Sequence, residues 1–346
     1  LQNESKDFSS VGKILFKNKS GKIIDNSHFG DIFWDLDKLP IPAWDLLPNE
    51  RYWKIGRPHG GNIKPGAELR YASIMTSRGC PFKCSYCHIA QETEDSISGA
   101  IGRFRIKSDE RVRKELHILR DEIGAKQIFI EDDSIFGMKR RAIRLLKSLV
   151  GYGLELLDVN GVNTIHLVKK SGKPGWMVPD EELIELLAEV GFKELCLPFE
   201  TANLRIMKKW CSNKLALDRF DPIALVKMLT KYKINVETNY MIGFPDETKE
   251  EIDVTLNFAR KMKEHGIDHV HFSLVMPVPG TPIFKYCREN NMLPADYNSD
   301  KFQWTKANLV NTPVPPHELE NIRDKAWEEF NNEEFKKSRK DWVNRN

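Results

Sequence analysis

The sequence predicts an α/β protein with a parallel sheet and helices packed outside it. Short β-branched or aromatic segments alternate with longer segments whose apolar residues recur every three to four positions, a pattern typical of strand and helix units. Six such units follow one another over about 220 residues, and this alternation favours parallel strands joined by helical crossovers. The periodicity leaves open whether the sheet curls into a barrel or stays an open doubly wound sheet.

Each predicted element rests on its local pattern. The first strand is expected at 71–75, and Ser108 suits the N-cap of a helix over 108–123 that has acidic residues in its first turn. Further strands are expected at 126–130, 154–159, 193–199, 234–242 and 268–275, and further helices at 138–150, 180–190, 219–231 and 247–264. The carboxyl ends of such strands gather at one edge, where sites form in parallel α/β folds.

Two flanks differ from this core. Residues 1–65 contain a short hairpin pattern within 12–24 and a linker rich in Pro and Trp at 36–48. Residues 66–290 hold the strand and helix units, and residues 291–346 form a helical C-terminal extension. The chain begins with Leu rather than Met, so we expect it to be part of a longer product.

Composition narrows the classes of function. The 346 residues include 53 Lys and Arg against 50 Asp and Glu, a formal net charge of +3. Because no long run of one sign occurs, the charge does not indicate nucleic acid or an anionic membrane as partner. No apolar segment approaches the ~20 residues of a bilayer span, and the first residues lack the apolar part of a signal peptide. We therefore expect a cytoplasmic protein without a membrane span.

Three of the six cysteines fall within eight residues, as Cys80, Cys84 and Cys87 in a C-x3-C-x2-C spacing after the first strand. This clustering favours a metal site over a disulfide framework. A zinc site with His88 as fourth ligand and an iron–sulfur cluster are both open on the spacing alone. The absence of a second short cysteine cluster favours iron–sulfur, and His88 would be cramped beside Cys87. The remaining cysteines are assigned to core packing: Cys196, Cys211 and Cys287.

The cysteine motif has an aromatic residue before its last cysteine, and Ser-Arg-Gly-Cys-Pro opens it at 77–81. Together with the downstream units, it resembles the radical S-adenosylmethionine (SAM) superfamily over about residues 70–290. The resemblance implies a partial (β/α)6 barrel, with a 4Fe-4S cluster on the three cysteines and SAM chelating the fourth iron. It also implies that Tyr86 lies beside the adenine of SAM.

Three carboxylates follow the second strand: Glu131, Asp132 and Asp133. They resemble the acidic segment of the family near the SAM ammonium group, although the usual Gly-Gly-Glu form is absent. The residues alone agree, because a cationic ligand would relieve the repulsion between neighbouring carboxylates. The alternative is a solvated loop in which Asp132 or Asp133 caps the next helix.

Later strands carry further matches. The segment at 197–201 resembles the Gly-x-Glu-Ser stretch of the family, which implies that Glu200 lies near the ribose or methionyl part of SAM. The fifth strand resembles the adenine-side strand, with Asn239 as a candidate contact and Gly243 allowing close backbone approach. The segment at 276–282 resembles the Pro-Gly-Thr-Pro stretch after the sixth strand, and an ordinary turn fits there equally well.

No catalytic residue stands out, and three side chains are weak candidates. His269 and His271 alternate on the sixth strand and so share a face, where they either bind substrate or are hydrogen-bonded core residues. Arg103 either binds an anionic substrate or lies at the rim of the barrel.

The linker at 36–48 is similar to the connector before the radical domain in cobalamin-dependent members. This favours cobalamin-dependent C-methylation of a small molecule, with radical cyclisation or rearrangement as the alternative. An Asp-x-His-x-x-Gly cobalamin motif is absent, because 25–30 has a different spacing. Either a cobalamin-binding part lies upstream, which the Leu start favours, or the protein does not use cobalamin. The resemblance also implies an electron donor such as flavodoxin or ferredoxin. A non-catalytic zinc- or cluster-binding interaction module is the hypothesis of another class.

Overall fold

The computed structural model of the protein describes residues 8–27, 30, 32–55, 70–92, 100–212, 217–331 and 333. Its centre is a six-stranded parallel sheet whose strands are hydrogen-bonded in the order of the sequence. The strands are β1 (Tyr71–Ile74), β2 (Gln127–Ile130), β3 (Glu155–Asp158), β4 (Phe192–Glu200), β5 (Asn235–Ile242) and β6 (His269–Leu274).

The strand order decides between the two predicted architectures. A doubly wound sheet reverses direction at a switch point, whereas this sheet runs from β1 to β6 without reversal. Right-handed crossovers then place the helices on one side, which curls the sheet. Tyr71 of β1 and His271 of β6 line one common cavity, so the two edge strands face the same interior. The expected partial (β/α)6 barrel is confirmed.

Eight α-helices follow β1 in the described part of the chain, and the predicted ones among them begin and end close to their expected positions. They are α1 (Asp109–His117), α2 (Lys139–Leu149), α3 (Glu181–Val190), α4 (Leu204–Trp210), α5 (Pro222–Lys231), α6 (Lys249–Lys263), α7 (Pro282–Glu289) and α8 (Pro316–Phe330). Ser108 caps α1 as expected, by accepting a hydrogen bond from the Arg111 N–H. The predicted helix over 108–123 continues beyond α1 as a π-helical turn, Ile118–Glu122.

The sequence analysis missed several elements. Helix α4 has seven residues, too few to show an apolar period. Helix α7 begins in the segment at 276–282, where the Pro-Gly-Thr-Pro stretch of the family or an ordinary turn was expected. A short helix, Asn49–Ile55, lies in the N-terminal flank. Strands Val168–Lys170 and Met177–Pro179 form an antiparallel hairpin between β3 and α3.

The N-terminal flank packs on the start of the barrel. Leu15–Lys17 pairs antiparallel with Ile23–Asp25, which forms the expected hairpin. The Arg111 guanidinium of α1 donates to the linker carbonyls of Asp37, Leu39 and Pro40. These bonds hold the linker against the first helix of the barrel.

The last helix covers the open edge of β6. Asn331, directly after α8, accepts from the Val270 N–H and donates to its carbonyl. Arg323 Nε donates to the Phe272 carbonyl, and the Leu274 N–H donates to the Trp304 carbonyl. Edge strands that present unpaired backbone groups invite pairing with other chains. Here the C-terminal segment satisfies the groups that a seventh strand would otherwise bind.

Among the described residues, no helix combines the length and apolar character that crossing a bilayer requires.

Candidate functional site

A cavity of about 1060 Å³ occupies the inside of the curled sheet. The three motif cysteines line it together with residues from five of the six strands. Inward positions alternate along the longer strands, as expected from the period of two residues in a β-strand: Glu194, Cys196, Pro198 and Glu200 on β4, and Glu237, Asn239 and Met241 on β5.

The cysteine loop, residues 79–88, is fixed at its start by a glycine. Gly79 has φ +83°, and a Cβ there would lie 2.3 Å from the Arg103 carbonyl oxygen. Both facts require glycine. The Gly79 N–H donates to Asp133 Oδ2 at 2.8 Å, and the Cys80 N–H donates to the Gly102 carbonyl at 3.2 Å. The loop is therefore held from the segment after β2 and from residues 102–103.

Two helices hold the middle of the cysteine loop. The N–H and the hydroxyl of Ser85 donate to the Trp210 carbonyl at the end of α4, at 2.9 and 2.7 Å. The Ile283 N–H at the start of α7 donates to the Ser85 carbonyl at 3.1 Å. Cys84 is buried, with its Sγ 3.8 Å from the Cys211 carbonyl oxygen. These contacts shape the loop without using Cys80 or Cys87.

The three motif cysteines lie together at the cavity. None of Cys80, Cys84 and Cys87 is in a disulfide, and all three line the same cavity. Within the described part of the chain, no three His, Cys, Asp or Glu side chains converge closely enough to hold one metal ion. A four-iron cluster is larger and takes its thiolates from more widely spaced positions. Soft thiolate donors of this kind suit iron–sulfur clusters.

The three carboxylates after β2 have different roles. Asp132 is buried and accepts from the Thr76 N–H and hydroxyl and from the Ser77 hydroxyl, at 2.5 to 2.7 Å. Burial raises its pKa. Glu131 accepts from the Ser73 hydroxyl at 3.1 Å. Of the three, only Asp133 is among the residues that line the cavity, whereas Asp132 is engaged by Thr76 and Ser77.

Tyr86 and Glu200 meet across the cavity. The Tyr86 hydroxyl donates to Glu200 Oε1 at 2.8 Å, and burial followed by the Glu200 charge raises the pKa of Tyr86. Glu200 has φ +59°, an uncommon conformation for a residue with a side chain. The β4–β5 register shifts between Pro198 and Glu200. Backbone strain of this kind is concentrated at functional sites, and here it turns the carboxylate towards the cysteine loop.

The turn after β5 depends on a residue that the sequence analysis missed. The N–H groups of Gly243 and Phe244 donate to Glu247 Oε2 at 2.7 and 3.2 Å, and burial raises the pKa of Glu247 to about 8. A Cβ on Gly243 would lie 3.2 Å from Leu319 Cδ1, so the close approach that was predicted there is to α8. Asn239 does line the cavity.

The three weak catalytic candidates differ in their position relative to the cavity. His271 lines the cavity, with Nε2 3.7 Å from Glu237 Oε2. His269 is 1% exposed and does not line it. The Arg103 guanidinium lies over the Trp34 ring at 5.7 Å, outside the cavity lining. Only His271 stays in a position to contact a substrate.

Several cavity residues were absent from the sequence prediction: Glu194, Glu237, Trp304, Arg323 and Trp327. The alternation along β4 and β5 could have identified the two glutamates, whereas nothing in the sequence places α8 at the cavity. Cys196, assigned to core packing, is buried but lies in the cavity wall, where it accepts from Asn239 Nδ2 at 3.1 Å. Burial, and then the nearby carboxylates, raise its pKa.

A partial β/α barrel with three thiols at one end of its cavity defines the class of a cofactor-dependent barrel enzyme. The family model of the Radical SAM superfamily matches residues 74–259. The chain belongs to that superfamily.

Relatives and solved structures agree with this assignment. The chain is 32% identical over 265 residues to an uncharacterized methyltransferase of Pyrococcus horikoshii, covering 75% of this chain and 48% of that protein. It is 25% identical to the cytidylyl-2-hydroxyethylphosphonate methyltransferase of Streptomyces wedmorensis, over 81% of this chain and 48% of the relative.

The fold is similar to that of the cobalamin-dependent SAM radical enzyme OxsB, with a TM-score of 0.65, 13% identity, and coverage of 91% of this chain and 46% of that one. The radical SAM methyltransferase TsrM from Kitasatospora setae gives 0.58, at 16% identity, over 83% of this chain and 50% of that one. The chain thus spans about half the length of these proteins.

Proposed function

We propose that the protein is a radical SAM methyltransferase that acts on a small molecule through a 4Fe-4S cluster. The observation that carries this proposal is the placement of Cys80, Cys84 and Cys87 on the same large cavity as the Tyr86–Glu200 pair. Two of the sequence relatives and one of the similar solved structures are methyltransferases, which supports the transfer of a methyl group.

The residues of the chain have distinct tasks in this proposal. Cys80, Cys84 and Cys87 hold the cluster, and when bound it supplies one-electron cleavage of SAM to an adenosyl radical that abstracts hydrogen from an unactivated carbon. Asp133 receives the ammonium group of SAM, and Glu200 with Tyr86 orients its ribose.

Cobalamin is proposed as the methyl donor because OxsB and TsrM structures hold it. The sequence contains no Asp-x-His-x-x-Gly pattern, so no residue of this chain is assigned to cobalamin. Cyclisation without methyl transfer is the second candidate, since the chain is 24% identical to the anaerobic magnesium-protoporphyrin IX monomethyl ester cyclase of Cereibacter sphaeroides.

The test is anaerobic reconstitution with iron and sulfide, followed by SAM and dithionite. We expect 5′-deoxyadenosine, and its loss in Cys84→Ala. Cys287→Ala is the matched control, because Cys287 is also buried but lies outside the cavity lining. One zinc per chain without labile sulfide would support the interaction-module hypothesis instead. With SAM carrying a deuterated methyl group and added hydroxocobalamin, a labelled product distinguishes methyl transfer from cyclisation.

A further inference from the structure

The loop after β3, residues 159–166, carries an asparagine that the sequence analysis did not single out. We call this segment the β3 loop. The Val162 N–H donates to the Cys196 carbonyl of β4 at 2.8 Å. Gly161 has φ +104°, and a Cβ there would lie 3.1 Å from the proline ring of β4. These contacts hold the β3 loop against β4, where Asn163 lines the cavity.

One end of the Asn163 amide is engaged by the backbone. Asn163 is the N-cap of the 3₁₀ turn Thr164–His166, and its Oδ1 accepts from the Ile165 N–H at 3.2 Å. Because the Ile165 N–H can only donate, this bond identifies the oxygen of the amide and assigns Nδ2 to its other side. The side chain is only 6% exposed, so packing and the cap together fix its orientation.

The Nδ2 donor of Asn163 is buried and has no hydrogen-bond partner among the described residues. Two other asparagines line the cavity, and each of them already donates a hydrogen bond. Asn160 Nδ2 donates to the Glu131 carbonyl at 2.8 Å, and Asn239 Nδ2 donates to Cys196 Sγ at 3.1 Å. Nearly all buried polar groups in proteins are paired. Asn163 Nδ2 therefore indicates an acceptor that enters the cavity with a ligand.

The other buried polar atoms of the β3 loop lie away from the cavity. Thr164 Oγ1 and His166 Nε2 also lack a partner in the part of the chain that the structure describes, but neither residue lines the cavity. A buried water molecule is the usual partner of such atoms. The His166 ring lies beside the Phe82 ring of the cysteine loop, with the ring centres 5.6 Å apart. The β3 loop thus borders the cysteine end of the cavity.

This end of the cavity needs a donor for an anionic group. In the proposed function, Asp133 receives the ammonium group of SAM, and a carboxylate is attached to the same carbon atom. Among the described lining residues, Arg323 is the one Lys or Arg, and it lies on α8, where its Nε donates to the Phe272 carbonyl of β6. Asp133 and Asn163 follow β2 and β3, which are hydrogen-bonded neighbours and therefore ~4.8 Å apart.

We infer that Asn163 donates to the carboxylate of SAM and thereby selects SAM over analogues that lack this group. The inference rests on the proposed function. A hydrogen bond to a charged acceptor is stronger than one to a neutral acceptor, and here it satisfies a donor that is otherwise buried without a partner. Asp133 and Asn163 then recognise the two charges at the amino-acid end of SAM from adjacent loops.

The test compares two substitutions that affect the cap and the donor differently. Asn163→Asp keeps an oxygen that caps the turn but places a negative charge beside the carboxylate, whereas Asn163→Ala removes both the cap and the donor. Binding of SAM to the oxidised, cluster-loaded protein is measured by equilibrium dialysis. We expect the dissociation constant to rise at least tenfold in Asn163→Asp and by less in Asn163→Ala. The opposite order is expected of a residue that acts only as a cap, and it would overturn the inference.

Decarboxylated SAM keeps the sulfonium and the amino group, so it separates recognition of the carboxylate from a general effect on the cavity. Asn163→Asp should leave its dissociation constant within twofold or lower it. The control is Asn160→Asp, the same change at an exposed side chain of the same loop, which should alter SAM binding less than threefold. Equal losses for both ligands, or equal losses of SAM binding in both Asp variants, would contradict the inference.

Structural effects are monitored in the same samples. Iron content and the free energy of unfolding should match those of the unaltered protein in Asn163→Asp, because the cap is retained. A loss of iron that parallels the loss of SAM binding would show that the β3 loop only supports the cysteine loop. If the unaltered, cluster-loaded protein binds no SAM, the proposed function fails. If it binds SAM and Asn163→Asp binds SAM equally well, only the inference fails.

Discussion

The mouth of the cavity is assembled largely from consecutive residues, whereas its floor collects single residues from distant segments. The mouth consists of the cysteine loop, Asp133 and Glu200. The floor consists of inward residues nearer the strand starts and of residues from α8: Glu194, Glu237, His271, Arg323 and Trp327. Glu194 precedes Glu200 by six residues on β4, roughly 20 Å along an extended strand. In the proposed function, the mouth is the motif-encoded end that holds the cofactors, and the floor is the end where a substrate would be selected.

The largest effect is expected from Gly79→Ala. Its Cβ would lie 2.3 Å from the Arg103 carbonyl oxygen at a residue with φ +83°, so the cysteine loop must shift. We expect iron and labile sulfide per chain to fall at least tenfold after reconstitution. The control is Gly151→Ala, which has φ +82° but no neighbouring atom within 4 Å. Full iron content in Gly79→Ala would show that the mouth tolerates rearrangement.

A smaller effect is expected from Glu200→Gln, which removes the charge but leaves an acceptor for Tyr86. Hydrogen bonds to a charged acceptor are about twice as strong as neutral ones. SAM should bind the oxidised, cluster-loaded protein ~10-fold more weakly, about 1.4 kcal/mol, by equilibrium dialysis. The same change at the floor, Glu194→Gln, should alter SAM affinity less than twofold. An equal loss of SAM affinity in both variants would contradict the division of tasks between mouth and floor.

The floor depends on the contact between the end of α8 and β6, and this contact can be tested. Asn331 is buried and bonds to the backbone of Val270 and to the Trp327 carbonyl. Asn331→Ala should lower the free energy of unfolding by about 2 kcal/mol, because buried backbone groups lose their partners. Chemical denaturation measures this, and SAM affinity should stay unchanged. Lys325→Ala, exposed on α8, is the control; equal stability of the two variants would contradict the assigned role of Asn331.

The last prediction concerns pH. Burial raises the pKa of Glu247 to about 8 from an ordinary value of 4.5, so the folded chain retains a proton that the unfolded chain releases. The free energy of unfolding should therefore fall as pH rises from about 4.5 to 8. Glu247→Gln should make the dependence of the free energy of unfolding on pH less steep. The decrease corresponds to the release of up to one proton, roughly 1.4 kcal/mol per pH unit. Burial also raises the pKa of Asp158 to about 8, so Asp158 should still contribute part of this pH dependence in the Glu247→Gln variant. An unchanged slope in Glu247→Gln would contradict this assignment.

Sequence reasoning succeeded where the determining residues are neighbours in the chain. The strand predicted at 193–199 is observed as Phe192–Glu200, because its apolar run and its boundaries are local features. The cysteine loop was visible for the same reason. The division of tasks among Glu131, Asp132 and Asp133 was not, since it depends on which of them Thr76 and Ser77 contact.

Of the floor residues, the sequence analysis named only His271, because the members of the floor share no segment. Glu237 and His271 come from different strands and approach only through the β5–β6 register. Arg323 reaches the cavity because α8 returns to the edge of β6. That return follows from the pairing of whole elements, which no local pattern of α8 specifies.

The covered edge of β6 connects the shape of the cavity with the solubility of the protein. The segment that shields this edge from pairing with other chains also forms the outer wall of the floor, through Arg323 and Trp327. Substitutions on α8 that reshape the site would therefore also affect solubility. Diversification of substrate range in such a barrel is limited by aggregation, and changes on the inward faces of β4 and β5 would be the safer route to a new specificity.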